Sequence, residues 1–187
     1  ETKAFLQEDM IDHGTGSIPK FTDIDGDGLI DMFVANFFAY KAVLSKESRI
    51  AYYKNTGSEN QPVFTFVDSD FQNFSSLNIG LRMVPAFGDL NGDSKEDLIM
   101  GLEDGTLAYF ENTSTGPSPS FAAPIINYKD NNNIVIQNGL YAAPQLFDLN
   151  KDGLLDLIIG IKTGELIYYE NSGTATSPEF TLVTTLL

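Results

Sequence analysis

Short apolar runs separated by polar, turn-forming residues dominate the sequence. The clearest runs begin at Met32, Leu98 and Leu157 and read MFVANF, LIMGL and LIIGI. Their length and bulky composition are typical of buried strands. No long stretch shows the period of an amphipathic helix, and turn formers punctuate the chain throughout. The pattern therefore predicts an all-β fold with little helix.

The same unit of pattern occurs three times, with a period of about 60 residues. Each unit has a proline four residues before an aspartate, then an acidic loop, the apolar run, an aromatic strand and a Phe-containing strand. The aromatic strands read RIAYYKN, TLAYFEN and ELIYYEN, and the last strands read VFTFV, SFAAP and EFTLV. We name the four strands A to D in chain order. Four short antiparallel strands per unit predict the blades of a β-propeller.

This repeat divides the chain into one partial and three full units. Residues 1–17 contain AFLQED from Ala4, which resembles strand D of a preceding blade, and blades are expected at 18–81, 82–140 and 141–187. The first blade carries an insertion, residues 37–48, between strands B and C. Three blades do not close a ring, so we expect a fragment of a longer propeller that packs against the remaining blades of a parent chain.

The acidic loops place oxygen-bearing side chains at positions 1, 3, 5 and 9, counted from the first aspartate. A hard cation that takes about 6 to 8 oxygen ligands matches four such side chains, the backbone carbonyl of position 7 and water. Calcium tolerates this irregular shell better than magnesium. We therefore predict three Ca²⁺ sites: Asp23, Asp25, Asp27, Leu29 and Asp31; Asp89, Asn91, Asp93, Lys95 and Asp97; and Asp148, Asn150, Asp152, Leu154 and Asp156.

The same residues allow two other interpretations of these loops, a metal-free turn and an EF-hand. Asp, Asn and Gly also form good turns without metal, but four close carboxylates in the first loop would then repel one another. An EF-hand needs Glu at position 12, where Val34, Met100 and Ile159 stand. Glycine at position 6 suits a left-handed backbone, and Ser94 replaces it in the second loop. We expect the first site to be strongest and the second weakest.

These motifs resemble the FG-GAP or VCBS-type repeats of integrin α-subunit propellers and of many large secreted bacterial proteins. The resemblance rests on DxDxDGxxD between two strands, followed by AYYKNTG, AYFENTS and IYYENSG, and it covers nearly the whole chain. It implies a seven-bladed propeller, calcium between strands A and B, and an extracellular setting. Such propellers serve adhesion, protein or glycan recognition and sometimes lyase or hydrolase chemistry, so no single activity is implied.

Charge and composition narrow the function classes. A net charge of −15 disfavours nucleic-acid partners and anionic membranes, and no apolar run approaches the roughly 20 residues of a membrane span. No catalytic arrangement can be assembled around His13, the single histidine. Together with the extracellular setting that the resemblance implies, these observations lead us to expect a secreted or cell-surface, non-catalytic module. The alternative is part of a secreted carbohydrate-active enzyme, a lyase or hydrolase, whose active site lies in other blades or domains.

Antiparallel alternation separates two ends of each sheet. The A–B loops and C–D turns share one end, and the B–C and D–A connections share the other. Variable segments at the second end, residues 37–48, 68–82 and 127–141, are where we expect adhesion to an extracellular protein or glycan. The candidate contact residues are Phe38, Tyr40, Lys41, Phe71, Phe74, Tyr128, Lys129, residues 131–133 and Tyr141. The alternative is that these aromatic residues cover the rim of the core.

Overall fold

The computed structural model describes residues 12–42 and 45–186, without the side chains of residues 40–42, 45, 185 and 186. The strand-like segment at Ala4 lies outside the described residues. The strands are β1 (Ile18–Thr22), β2 (Asp31–Ala35), β3 (Ala39–Ala42), β4 (Ser45–Glu47), β5 (Ile50–Asn55), β6 (Phe64–Asp68), β7 (Val84–Gly88), β8 (Asp97–Gly101), β9 (Leu107–Phe110), β10 (Ile125–Ile126), β11 (Ala143–Phe147), β12 (Asp156–Gly160), β13 (Leu166–Asn171) and β14 (Phe180–Leu186).

Three four-stranded antiparallel sheets form the propeller-like blades. Their strand orders are β1-β2-β5-β6, β7-β8-β9-β10 and β11-β12-β13-β14, and the β3-β4 hairpin is inserted into the first. Helix is limited, among the described residues, to a short 3-10 segment at Phe71–Leu77 that is kinked at Gln72 and Asn73. None of it has the length or apolar character that a membrane crossing needs. The predicted all-β fold of four-stranded blades is confirmed.

The second strand of the middle sheet is buried on both faces. Leu98 and Met100 of β8 belong to a cluster shared with the first sheet, whereas Ile99 belongs to a cluster shared with the third. Successive side chains of a strand point to opposite faces, so a strand between two sheets needs an apolar residue at every position. This requirement explains the continuous apolar run LIMGL.

Connections between strands D and A fill the space between neighbouring sheets. The Phe71 ring lies 5.0 Å from that of Phe33 in the first sheet, and the Phe74 ring lies 5.0 Å from that of Phe110 in the second. Both connecting residues are 3% exposed. Of the two interpretations of Phe71 and Phe74, the structure therefore supports core packing and not contact with a partner.

The second D–A connection packs in the same way. Ile136 is 1% exposed and belongs to the cluster between the second and third sheets. The Tyr128 ring lies 5.6 Å from that of Tyr109 and 6.2 Å from that of Phe180. Asn131 donates its backbone N–H to the Phe180 carbonyl at 3.0 Å. Tyr128 and Ile136 of the segment 127–141 therefore pack between blades, whereas residues 131–134 are exposed.

Close backbone and side-chain contacts hold the three sheets together at the end that carries the B–C connections. A Cβ on Gly101 would lie 2.3 Å from the Ala142 carbonyl oxygen, so only glycine allows this approach of β8 to the third sheet. The Arg82 guanidinium lies between the rings of Phe37 and Tyr141, 3.5 and 3.8 Å from their centroids. These contacts link residues from all three blades on one face.

One strand differs from the sequence prediction. Strand D of the second blade was predicted at SFAAP, but there Phe121 makes only an isolated bridge with Asn112, and β10 follows at Ile125–Ile126. The predicted segment ends in Pro124, which has no backbone N–H to donate to a ladder. Regular pairing with β9 therefore begins only after this proline.

Candidate metal centre

The first aspartate of each acidic loop organises the loop backbone. Asp23 Oδ1 accepts hydrogen bonds from the N–H groups of Gly26 and Asp27 at 2.9 and 3.1 Å, and Oδ2 accepts one from Gly28 at 2.8 Å. Asp89 accepts the three equivalent bonds at 2.7, 3.2 and 2.8 Å. Asp148 accepts two of them at 3.1 and 3.0 Å. The three loops thus share the backbone hydrogen bonds that positions 5 and 6 donate to their first aspartate.

Each loop turns through two left-handed residues, at positions 4 and 6. The positive φ angles belong to Gly26 (72°), Gly28 (87°), Gly92 (74°), Ser94 (65°), Lys151 (65°) and Gly153 (91°). The sequence prediction covered position 6 but missed position 4. The second and third loops therefore each hold one non-glycine residue in a conformation that favours glycine. Backbone strain gives no reason to rank the second site below the third.

Three carboxylates of the first loop converge. Oxygens of Asp23, Asp25 and Asp27 all lie within 4.8 Å of one another, and this is the one such group of three or more His, Cys, Asp or Glu side chains in the described part of the chain. The second and third loops carry Asn91 and Asn150 at position 3, so their amide oxygens take the place of a carboxylate. One acidic cluster able to bind a metal ion is therefore established by the geometry.

A lysine enters the first cluster from the end of β5. Lys54 Nζ donates to Asp27 Oδ2 at 2.9 Å and also contacts Asp25 Oδ2. The hydrogen bonds to Asp25 and Asp27 raise the pKa of Lys54 above its usual value. The hydrogen bond from Lys54 is also the main reason that the pKa of Asp27 is lowered. The sequence prediction did not include Lys54, because β2 and the inserted hairpin separate β5 from the loop in sequence.

The aspartates at position 9 are fully buried and join the loop to strand C. Asp31, Asp97 and Asp156 are each 0% exposed. Each accepts a tyrosine hydroxyl bond from strand C, at 3.0, 3.0 and 3.1 Å, and a backbone N–H bond, at 2.7, 2.8 and 2.9 Å. Burial raises the pKa of both Asp31 and Asp97. These contacts explain why a tyrosine recurs in each aromatic strand.

Asparagines at the end of strand C add further contacts to the loop. We call each set of position-9 aspartate, strand C tyrosine and asparagine a clamp. Asn55, Asn112 and Asn171 donate their side-chain amides to the carbonyl of loop position 8, at 3.2, 3.0 and 3.3 Å. Their Oδ1 atoms accept N–H bonds from the C–D turn. The repeated Tyr and Asn were visible in the sequence, but only the fold shows that they bind the position-9 aspartate and the turn.

The donor chemistry of the loops fits a calcium ion. The position-9 carboxylates are buried, yet among the described residues none of them forms an ion pair. A buried charge without a cationic partner is costly, and a divalent cation beside it would offset that cost. Oxygen-only donor sets with several carboxylates are what calcium prefers. The oxygen ligands of the first loop fit calcium equally well, although Lys54 already contacts the carboxylates of Asp25 and Asp27.

The sequence profile described as FG-GAP-like repeat matches the chain twice, over residues 23–100 and 89–159. Together the two matches cover more than half of the chain. The chain belongs to the FG-GAP-like repeat family. Each FG-GAP-like match begins at the first aspartate of a loop and ends within β8 or β12, so each spans two neighbouring blades. The resemblance drawn from the motifs is confirmed. A search among curated proteins found no match.

The remaining predicted residues lie apart from the acidic loops. His13 is hydrogen-bonded through Nε2 to the Tyr53 hydroxyl at 2.7 Å, and the two rings meet edge to face. Lys46 lies over the Phe38 ring, 4.2 Å from its centroid, on the inserted hairpin. Lys129 Nζ donates to Asn133 Oδ1 at 2.9 Å. The side chains of residues 40 and 41 are outside the described ones.

Proposed function

We propose that this chain is a calcium-binding, non-catalytic β-propeller module of an extracellular protein. The observation that carries the proposal is the shared geometry of the three acidic loops, each of which presents a fully buried carboxylate at position 9. A polar turn needs no carboxylate at this position, and a bound calcium ion would offset the cost of burying one. Family membership and the strongly acidic net charge of −15 support the same proposal.

Calcium in this proposal is structural. The ligands are the side chains at positions 1, 3, 5 and 9 and the carbonyl of position 7, in three loops. Bound calcium supplies the positive charge that brings these oxygens together, while Asp31, Asp97 and Asp156 connect each loop to strand C. Extracellular calcium, near millimolar, fills even weak sites of this kind, which supports a secreted or cell-surface location.

Calorimetric titration tests this part of the proposal. We expect calcium to bind the wild-type chain, and Asp152→Asn to weaken one site by roughly tenfold because it removes a carboxylate from the third loop. Glu165→Gln is the matched control, since it removes the same charge from an exposed position at the opposite end of the same blade. The proposal fails if no calcium binds at millimolar concentration, or if both variants lose affinity equally.

The partner-binding part of the proposal concerns the hairpin β3-β4. The second and third blades join strands B and C by short turns, EDG and KTG, whereas the first blade inserts this hairpin with Phe38 and Lys46. Phe71 and Phe74 of the second variable segment pack between blades, so we place adhesion to an extracellular protein or glycan on the hairpin, with the exposed residues 131–133 as the second candidate. Recognition commonly lies in such variable loops.

A loop exchange tests the hairpin. Replacing residues 38–48 with the EDG turn of the second blade should leave calcium binding unchanged and abolish adhesion of chain-coated beads to glycan arrays or cells. Retained adhesion would contradict the assignment of the hairpin. Cleavage of a polysaccharide by the chain would contradict the non-catalytic part of the proposal.

A further inference from the structure

The residue that strand C presents to the acidic loop differs in charge among the blades. It is the residue just before the clamp asparagine: Lys54 in the first blade, Glu111 in the second and Glu170 in the third. The first loop has aspartate at position 3, and the other two have asparagine. A lysine therefore accompanies the loop with four carboxylates at positions 1, 3, 5 and 9, whereas a glutamate accompanies each loop with three at these positions.

The first blade places this lysine between two ligand carboxylates. Lys54 Nζ contacts Asp25 and Asp27, at positions 3 and 5, and the Asp25 side chain is only 2% exposed beneath it. The Lys54 side chain itself is 34% exposed, so its ammonium reaches the cluster from the solvent side. A monovalent cation therefore stands where the carboxylates of positions 3 and 5 meet.

In the third blade the same strand position holds an anion at the same loop position. Glu170 Oε1 accepts a hydrogen bond from the Asn150 side-chain amide at 3.1 Å, and that amide also donates to Asp152 Oδ2 at 2.9 Å. Lysine and glutamate thus occupy equivalent places beside position 3. In the second loop, Lys95 contacts a single carboxylate, Asp93 at 2.9 Å, and does not join two.

We propose that Lys54 is a tethered counter-cation of the first loop, which neutralises its carboxylates without metal and competes with calcium for them. This inference rests on the proposed calcium function of the loops. The ammonium and a calcium ion need the same oxygens, and two cations at hydrogen-bond distance from one carboxylate pair repel each other. Calcium therefore fills the second and third loops at lower concentration than the first.

The inference reverses the order expected from the number of carboxylates alone. The first loop has the most carboxylates at the ligand positions, but Lys54 must move away before calcium takes its place. Glu170 has the opposite effect, because it adds negative charge beside a loop that lacks one aspartate, and Glu111 stands at the equivalent sequence position in the second blade. The first loop is then held by an ammonium that joins two of its carboxylates, whereas Lys95 pairs with a single carboxylate of the second loop, so the second and third loops depend more on the ion.

Site-resolved calcium titration tests this proposal. The backbone amide resonances of Gly28, Gly92 and Gly153 report on the three loops separately in ¹⁵N-labelled protein. We expect Gly92 and Gly153 to shift at lower calcium than Gly28 in the wild type. Lys54→Gln should move the Gly28 transition to at least tenfold lower calcium, and Lys54→Arg should leave it near the wild-type position. Lys162→Gln, which removes the same charge from the exposed B–C turn of the third blade at the end opposite the loops, should change nothing.

A second measurement needs no calcium binding. In chelator, Lys54→Gln should lower the melting temperature relative to Lys162→Gln, because the first loop loses the cation that contacts Asp25 and Asp27. Equal melting temperatures would overturn the tethered-cation role, as would a Gly28 transition that Lys54→Gln does not move. If none of the three amides shifts in any variant up to millimolar calcium, the proposed function fails, while the chelator comparison still decides the role of Lys54.

Discussion

The aromatic contact between the first two blades gives a sharp quantitative prediction. Phe71 is 3% exposed, and its ring lies 5.0 Å from Phe33, 5.2 Å from Tyr52 and 5.8 Å from Phe74. Truncating a buried Phe to Ala removes the burial of the ring and leaves a cavity, at a cost of about 3–5 kcal/mol. We expect Phe71→Ala to lower the free energy of unfolding by this amount.

The matched control is Phe66→Ala, on the outermost strand of the same sheet. Phe66 is 54% exposed, so we expect its truncation to cost about 1 kcal/mol or less. Urea unfolding at one fixed calcium concentration, followed by circular dichroism, gives both values. If Phe71→Ala costs no more than Phe66→Ala, the ring is not part of the core between the blades, and its interpretation as a partner-contacting residue regains support.

Three further predictions concern the packing and charge of the blades. Gly101→Ala places a Cβ 2.3 Å from a carbonyl oxygen of the third blade and should cost about 1–3 kcal/mol in urea unfolding, whereas Gly116→Ala meets open space and should be nearly neutral. Tyr109→Phe removes the hydroxyl that donates to buried Asp97 at 3.0 Å and should cost about 1.5–3 kcal/mol in the same assay. Burial raises the pKa of Glu96 above its ordinary value of 4.5, so its ionised form destabilises the fold. In chelator, Glu96→Gln should therefore raise stability above the folded-state pKa, and this gain should vanish as pH falls below 4.5; a gain that does not depend on pH would contradict the electrostatic cause.

The repeat predicted the fold because its signals are local. Period, turn residues and apolar runs placed strands A, B and C in each blade. The prediction of strand D in the second blade was wrong because Pro124 interrupts the pairing there. The D–A connections were harder to interpret because they carry no repeated pattern. Whether Phe71 lies in a core or on a surface depends on which blade packs against it, and that contact is not encoded by neighbouring residues.

In the acidic loops, too, local spacing was predictable from the sequence and contacts with distant strands were not. Position spacing identified the oxygen ligands, but the role of position 9 depends on a hydroxyl and a backbone N–H from strand C, which only the antiparallel register brings near. Lys54 was missed for the same reason, since it lies beside Asp25 only after the chain returns through β5. A usable signal was present in the repeat alignment, where lysine stands against Glu111 and Glu170.

Thermal unfolding in calcium, magnesium and chelator tests the central claim most directly. Calcium held at about 100 times its dissociation constant adds about 2.7 kcal/mol per site, which corresponds to roughly 5–10 °C in melting temperature for a chain of this size. We expect a melting temperature in calcium that exceeds the value in chelator by at least this amount, with little recovery in magnesium. Superimposable melting curves in calcium and chelator would contradict the calcium-braced propeller.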